Sequence, residues 1–128
     1  MSDDVGETDD PMTLRVDGHG VLRLIWGPRV RITAELAKES VRAAEDLTVG
    51  RPQPMLVDIT GDATTTRDAR HVFADTTAVS RLALLGCSAV NRVIANFTLR
   101  VDPPTIPVRY FTDESAALDW LLDDDARR

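Results

Sequence analysis

Three carboxylates, Asp58, Asp62 and Asp68, bracket a run of hydroxyls at Thr64, Thr65 and Thr66 and an arginine at Arg67. Clustered carboxylates can hold a hard cation, or divide acid and base roles when their surroundings separate their pKa values. The intervals between these three do not match a calcium loop, and no histidine or cysteine stands beside them in a ligand pattern. Strand-end and capping roles account for such acids. Cys87, followed by Ser88, stands where a strand gives way to a helix, a place that can lower a thiol pKa. The ordinary reading of such a lone cysteine is a small buried hydrophobe. His19 lies in a turn and His71 between Arg70 and Val72; neither has a nucleophile with an acid–base partner, so both are expected at the surface. The glycines are scattered, and Gly18 and Gly20 lack the following helix of a phosphate-cradling loop. No catalytic residue, cofactor or metal site is expected.

Binding chemistry is better represented. Asn96 and Arg100 are spaced i, i+4, with Arg92 one turn earlier and Asn91 beside it. Such a helix face could take an acidic partner or a lipid head group; its bland alternative is a solvated face. Together with Thr64, Thr65, Thr66 and Arg67, these residues form the candidate partner- or ligand-binding set.

Composition narrows the classes. The 128 residues fit one domain, and 43% hydrophobic content supports a compact core. Formal net charge is −6, but Asp3, Asp4, Glu7, Asp9 and Asp10 all precede Pro11, so the remainder carries −1. A sequence pI near 4.8 argues against nucleic acid, although Arg29 with Arg31, and Arg67 with Arg70, could form local patches. One cysteine allows no internal disulfide, which fits a reducing, cytoplasmic compartment. The acidic start has neither the basic region nor the apolar run of a signal peptide. No apolar stretch approaches the roughly 20 residues of a transmembrane segment.

The elements follow from periodicity. An acidic tail over residues 1–11 is expected to be disordered, having too little apolar surface to offset ordering entropy. A single domain over 12–128 follows. Thr13–Val16 and Val21–Trp26 read as strands joined at Asp17-Gly18-His19-Gly20, with Asp-Gly supplying the positive φ of a tight hairpin. Thr33 is placed to cap a helix running to about Asp46, with Leu36, Ser40, Val41, Ala44 and Leu47 on one face. Met55–Thr60, nearly apolar on both faces, suits a central parallel strand. A polar loop, Gly61–Thr66, precedes a helix from about Thr66 to Val79. A strand is expected over Arg81–Cys87 and a helix after Ser88 carrying Val90, Val93, Ile94 and Phe97. Pro107–Phe111 forms the last strand, and Thr112 or Asp113 caps a closing helix with Ala117, Trp120 and Leu121 inward. Single helices between strands require crossovers, so the later strands should run parallel.

That order, in this length, resembles the SpoIIAA-like family of STAS domains, which includes anti-sigma factor antagonists. The most specific stretches are Ala83-Leu84-Leu85-Gly86-Cys87-Ser88-Ala89-Val90-Asn91-Arg92 and Val108-Arg109-Tyr110-Phe111-Thr112-Asp113-Glu114-Ser115-Ala116-Ala117-Leu118. They look like a bacterial SpoIIAA-like branch. The resemblance implies an α/β fold with a mixed sheet of about five strands and about four helices. It also implies a non-enzymatic, regulatory protein-binding module. In antagonists of this family, a serine in an Asp-Ser-Ser-Gly motif is the phosphoswitch. Here Thr64-Thr65-Thr66-Arg67-Asp68-Ala69 stands in its place, with hydroxyls but without the motif. A Thr run before a helix is ordinarily a cap. The alternative function is SEC14-like binding of a lipid or other apolar small molecule, with Val90–Phe97 walling a pocket. Homodimer formation through Trp26 or Trp120 is a further expectation, set against each tryptophan filling its own core.

Overall fold

The computed structural model describes residues 12–49, 51–61, 63–75, 78–87 and 106–123. Its elements are β1 (Met12–Val16), β2 (Leu22–Trp26), β3 (Arg31–Ile32), α1 (Ala34–Thr48), β4 (Gln53–Asp58), β5 (Thr64–Thr65), α2 (Arg67–Asp75), β6 (Val79–Leu85), β7 (Val108–Phe111) and α3 (Glu114–Leu121). Five strands form one mixed sheet in the order β1-β2-β4-β6-β7; β1 is antiparallel to β2, and every other neighbouring pair is parallel.

Period-two alternation divides the core in two. Leu22, Leu24 and Trp26 of β2 share one face with Met55, Val57 and Leu82, and α1 and α2 cover it through Ala37, Ala44 and Ala69. Val21, Leu56, Ala83 and Leu85 occupy the opposite face beneath Ala117 and Leu121 of α3. Met55, Leu56 and Val57 are buried on both sides because β4 is the middle strand, as its unbroken apolar run requires.

Thr33 caps α1 as expected, its Oγ1 accepting from the Leu36 N–H at 3.4 Å. The buried stripe, however, is Ala37, Ser40, Ala44 and Thr48, while Leu47 is 48% exposed and Leu36 and Val41 are half-buried. Small residues let α1 approach its neighbours closely, and the larger side chains flank the contact. Ser40 satisfies its buried hydroxyl by donating to the Ala37 carbonyl at 2.8 Å.

The hairpin turn also differs in detail. The Gly20 N–H donates to the Asp17 carbonyl, and positive φ falls on Gly20 (+81°), not on Gly18. This is the arrangement expected of a three-residue loop closed by a left-handed glycine. Asp17 Oδ1 accepts from the His19 and Val21 N–H groups at 2.8 and 3.1 Å, which fixes the turn.

The described span of α2 ends at Asp75, and Val79 opens β6 instead of closing the helix. Pairing with Gln53 draws the β-branched Val79 into the sheet, so tertiary pairing overrides helical periodicity. Three helices are present among the described residues against about four expected; the helix expected after Ser88 lies outside them.

A candidate binding lip at the carboxyl edge of the sheet

Ligands of open parallel sheets bind beyond the carboxyl ends of the strands. Here that edge carries a second, two-stranded sheet that the sequence reading took for loop. β3 and β5 pair in parallel, with Arg31 beside Thr64 and Ile32 beside Thr65. The Thr64 N–H donates to the Val30 carbonyl at 2.9 Å, and the Thr66 N–H to the Ile32 carbonyl at 3.1 Å. One turn further, the Arg29 N–H donates to the Gly61 carbonyl at 2.7 Å. Gly61 lies so close to Pro28 that an added Cβ would stand 3.0 Å from the Pro28 Cα. Two loops distant in sequence are thereby fastened into one lip. Arg29 sits in it with φ +59°, a left-handed conformation that costs of order 1–3 kcal/mol unless its surroundings enforce it.

Of the threonines, Thr64 and Thr65 are exposed on β5, and Thr66 serves α2. Thr66 Oγ1 accepts from the Ala69 N–H at 3.1 Å, so this hydroxyl is the helix cap. Asp58 turns its Oδ1 onto the Thr60 N–H and hydroxyl at 2.9 and 2.7 Å, the local pattern of a strand-end aspartate. Asp68 is exposed in the first turn of α2, and Asp62 lies outside the described residues. Among the described residues no cluster of His, Cys, Asp or Glu could hold a metal ion.

The lip instead presents arginines. Arg29, Arg31 and Arg67 are exposed, and none forms a side-chain hydrogen bond or ion pair with a described residue. Arg70 is half-buried, reaching the Thr65 carbonyl at 3.4 Å through Nη1, while its buried Nε has no hydrogen-bond partner. β3 carries Arg31, and its partner β5 leads through Thr66 into the helix that opens with Arg67. The same arrangement could seat an acidic group, with charged hydrogen bonds from guanidinium as the main attraction.

Cys87 is exposed at the neighbouring strand end, its Sγ 3.6 Å from the Thr60 carbonyl, which corrects its reading as a buried hydrophobe. The preceding Gly86 is required, because a Cβ there would run into the hydroxyl end of Tyr110. His19 and His71 are exposed as expected. Trp26 is 3% exposed and belongs to the core, which removes it from any interface; its Nε1 has no hydrogen-bond partner. Trp120 is half-buried against Phe111. Asn91, Arg92, Asn96 and Arg100 lie outside the described residues, so nothing brings them to the lip.

Sequence reasoning missed Arg81, which is 2% exposed. It shares its strand parity with Ala83 and Leu85, both inward, and that parity was the available signal that a charge would be buried and need partners. Its Nη1 donates to the carbonyls of Trp120 and Asp123 at the end of α3, and its guanidinium lies 4.8 Å from the Trp120 ring centre.

Strand order and two-sided helix cover give the chain a SpoIIAA-like α/β fold. That fold is shared with an uncharacterized DUF3478-family protein with a SpoIIAA-like fold from Shewanella loihica PV-4. Its TM-score is 0.59 at 18% identity, covering 86% of this chain and 91% of that one. By sequence the chain belongs to the family described as "Domain of unknown function (DUF7793)", whose model matches residues 14–123. A protein with unknown function from Arthrobacter sp. FB24 is 38% identical over 85% of this chain and 91% of its own, with a TM-score of 0.33. No curated protein matches. No helix among the described residues is long and apolar enough to cross a membrane.

Proposed function

We propose that this protein is a non-enzymatic regulatory module of the cytoplasm that binds an acidic segment of a protein partner at the β3–β5 lip. One observation carries the reading. Arg29, Arg31 and Arg67 stand exposed, without a side-chain partner among the described residues, on two segments that backbone hydrogen bonds hold together. Unpaired guanidinium groups on a pre-formed edge lose little conformational freedom when an acidic chain docks. Thr64 and Thr65 add hydroxyls beside them.

The test is binding of a fluorescent oligo-glutamate peptide at low ionic strength. The native chain should bind with an affinity that falls as salt rises, and a variant carrying Arg31→Glu and Arg67→Glu should lose at least about tenfold. Absence of binding by the native chain sinks the proposal. Native mass spectrometry addresses the apolar-ligand alternative: a co-purified lipid would displace the protein-binding reading. Homodimer formation, with Trp120 as the remaining tryptophan anchor, belongs to the same proposal. A single 14.1 kDa species in sedimentation velocity would remove it.

A further inference from the structure

We infer that the acidic leader of this chain docks on the β3–β5 lip and competes there with an acidic partner. The inference shares its surface with the function proposed above and adds a regulator to it. The register of the hairpin supplies the geometry. Met12 pairs with Trp26, the last residue of β2, and the chain passes directly from Trp26 through Gly27 into the turn bearing Arg29 and Arg31. The leader therefore joins the domain at the lip and not at the opposite end of the sheet. At no more than about 3.6 Å per residue, Asp9 and Asp10 are tethered within about 11 Å of Met12, and Glu7 within about 18 Å.

Charge supplies the attraction. Residues 1–11 hold Asp3, Asp4, Glu7, Asp9 and Asp10 and no basic side chain. The lip holds Arg29, Arg31 and Arg67 without described partners. Among the described residues none of its own acids forms an ion pair with them: Asp58 accepts from Thr60, while Glu35 and Asp68 sit in the first turns of α1 and α2. A tether this short gives a local concentration of order millimolar, so even a weak contact is substantially formed.

The experiment uses the full chain and a variant carrying Asp3→Asn, Asp4→Asn, Glu7→Gln, Asp9→Asn and Asp10→Asn, all outside the described residues. A nitroxide on Cys87, the sole cysteine and an exposed one, reports proximity. In the full chain at low salt it should broaden the amide signals of residues 3–10, and about 0.5 M salt should relieve the broadening. Oligo-glutamate should bind the neutralised variant several-fold more tightly than the native chain. Unbroadened leader signals with equal peptide affinity would overturn the inference and leave the acidic-partner reading standing. Broadened leader signals with no peptide binding to either form would support the leader contact and overturn that reading instead.

Discussion

Arginine plays opposite parts on the two sides of this molecule. On the face beneath α3, Arg81 is buried and Arg23 bridges Asp17 and Glu114, each at 3.0 Å. On the lip, the side chains of Arg29, Arg31 and Arg67 form no hydrogen bond or ion pair with a described residue. The difference lies in what surrounds each guanidinium. Removing an arginine from water costs several kcal/mol unless hydrogen bonds replace the lost hydration. Arg81 meets part of that cost at the end of α3, where the Trp120 and Asp123 carbonyls take its Nη1 and Trp120 takes its flat face, while its buried Nε has no hydrogen-bond partner among the described residues. The stack continues outward, with Phe111 5.7 Å from Trp120 and Arg109 5.7 Å from Phe111. These contacts fasten α3 to the sheet. The lip arginines are exposed, and their removal should cost the fold little.

Substitutions at four positions press on that contrast. The largest effect belongs to Arg81→Ala, which leaves a cavity and an unsupported Trp120. A loss of about 3 kcal/mol is expected in urea unfolding, whereas Arg81→Met should recover part of it by refilling the volume. A near-neutral Arg81→Ala would erase the distinction between structural and free arginines. Thr66→Ala should cost about 1 kcal/mol through loss of the α2 cap, measured the same way.

Asp17 gives a smaller, pH-dependent effect. Burial alone would raise its carboxyl, but the His19 and Val21 N–H groups and the Arg23 guanidinium outweigh burial and hold it below its ordinary 3.8. A depressed carboxylate stabilises the fold above the unfolded-state value and loses that stabilisation as pH falls through the folded one. Stability should therefore drop below about pH 4, and Asp17→Asn should flatten that part of the pH profile of unfolding. Smallest in stability is Arg31→Glu, expected within about 0.5 kcal/mol of native. Its effect should appear in acidic-peptide binding alone. A large destabilisation there would mean that the lip arginines hold the fold after all.

Much of the fold was written in local pattern. Alternation in Leu22-Arg23-Leu24-Ile25-Trp26, the unbroken apolar run of β4 and the cap at Thr33 all read correctly, since each depends on neighbours a few residues away, and of the two caps offered for the last helix, Thr112 or Asp113, the structure takes Asp113. The candidate threonines were also legible, and Thr66 proved to be the cap that its position implied. The lip was not. Arg31-Ile32 and Thr64-Thr65 are too short to show periodicity, and each becomes a strand only because the other lies beside it.

The amino-acid sequence alone determined the alternation of strands and helices and the acidic composition of residues 1–11, because composition and short-range spacing decide such things. Tertiary structure decided which arginines are buried, which helix face turns inward and which two loops become a single edge. Those outcomes depend on pairings across tens of residues, where partner and register set burial and hydrogen bonding, and no local pattern encodes them.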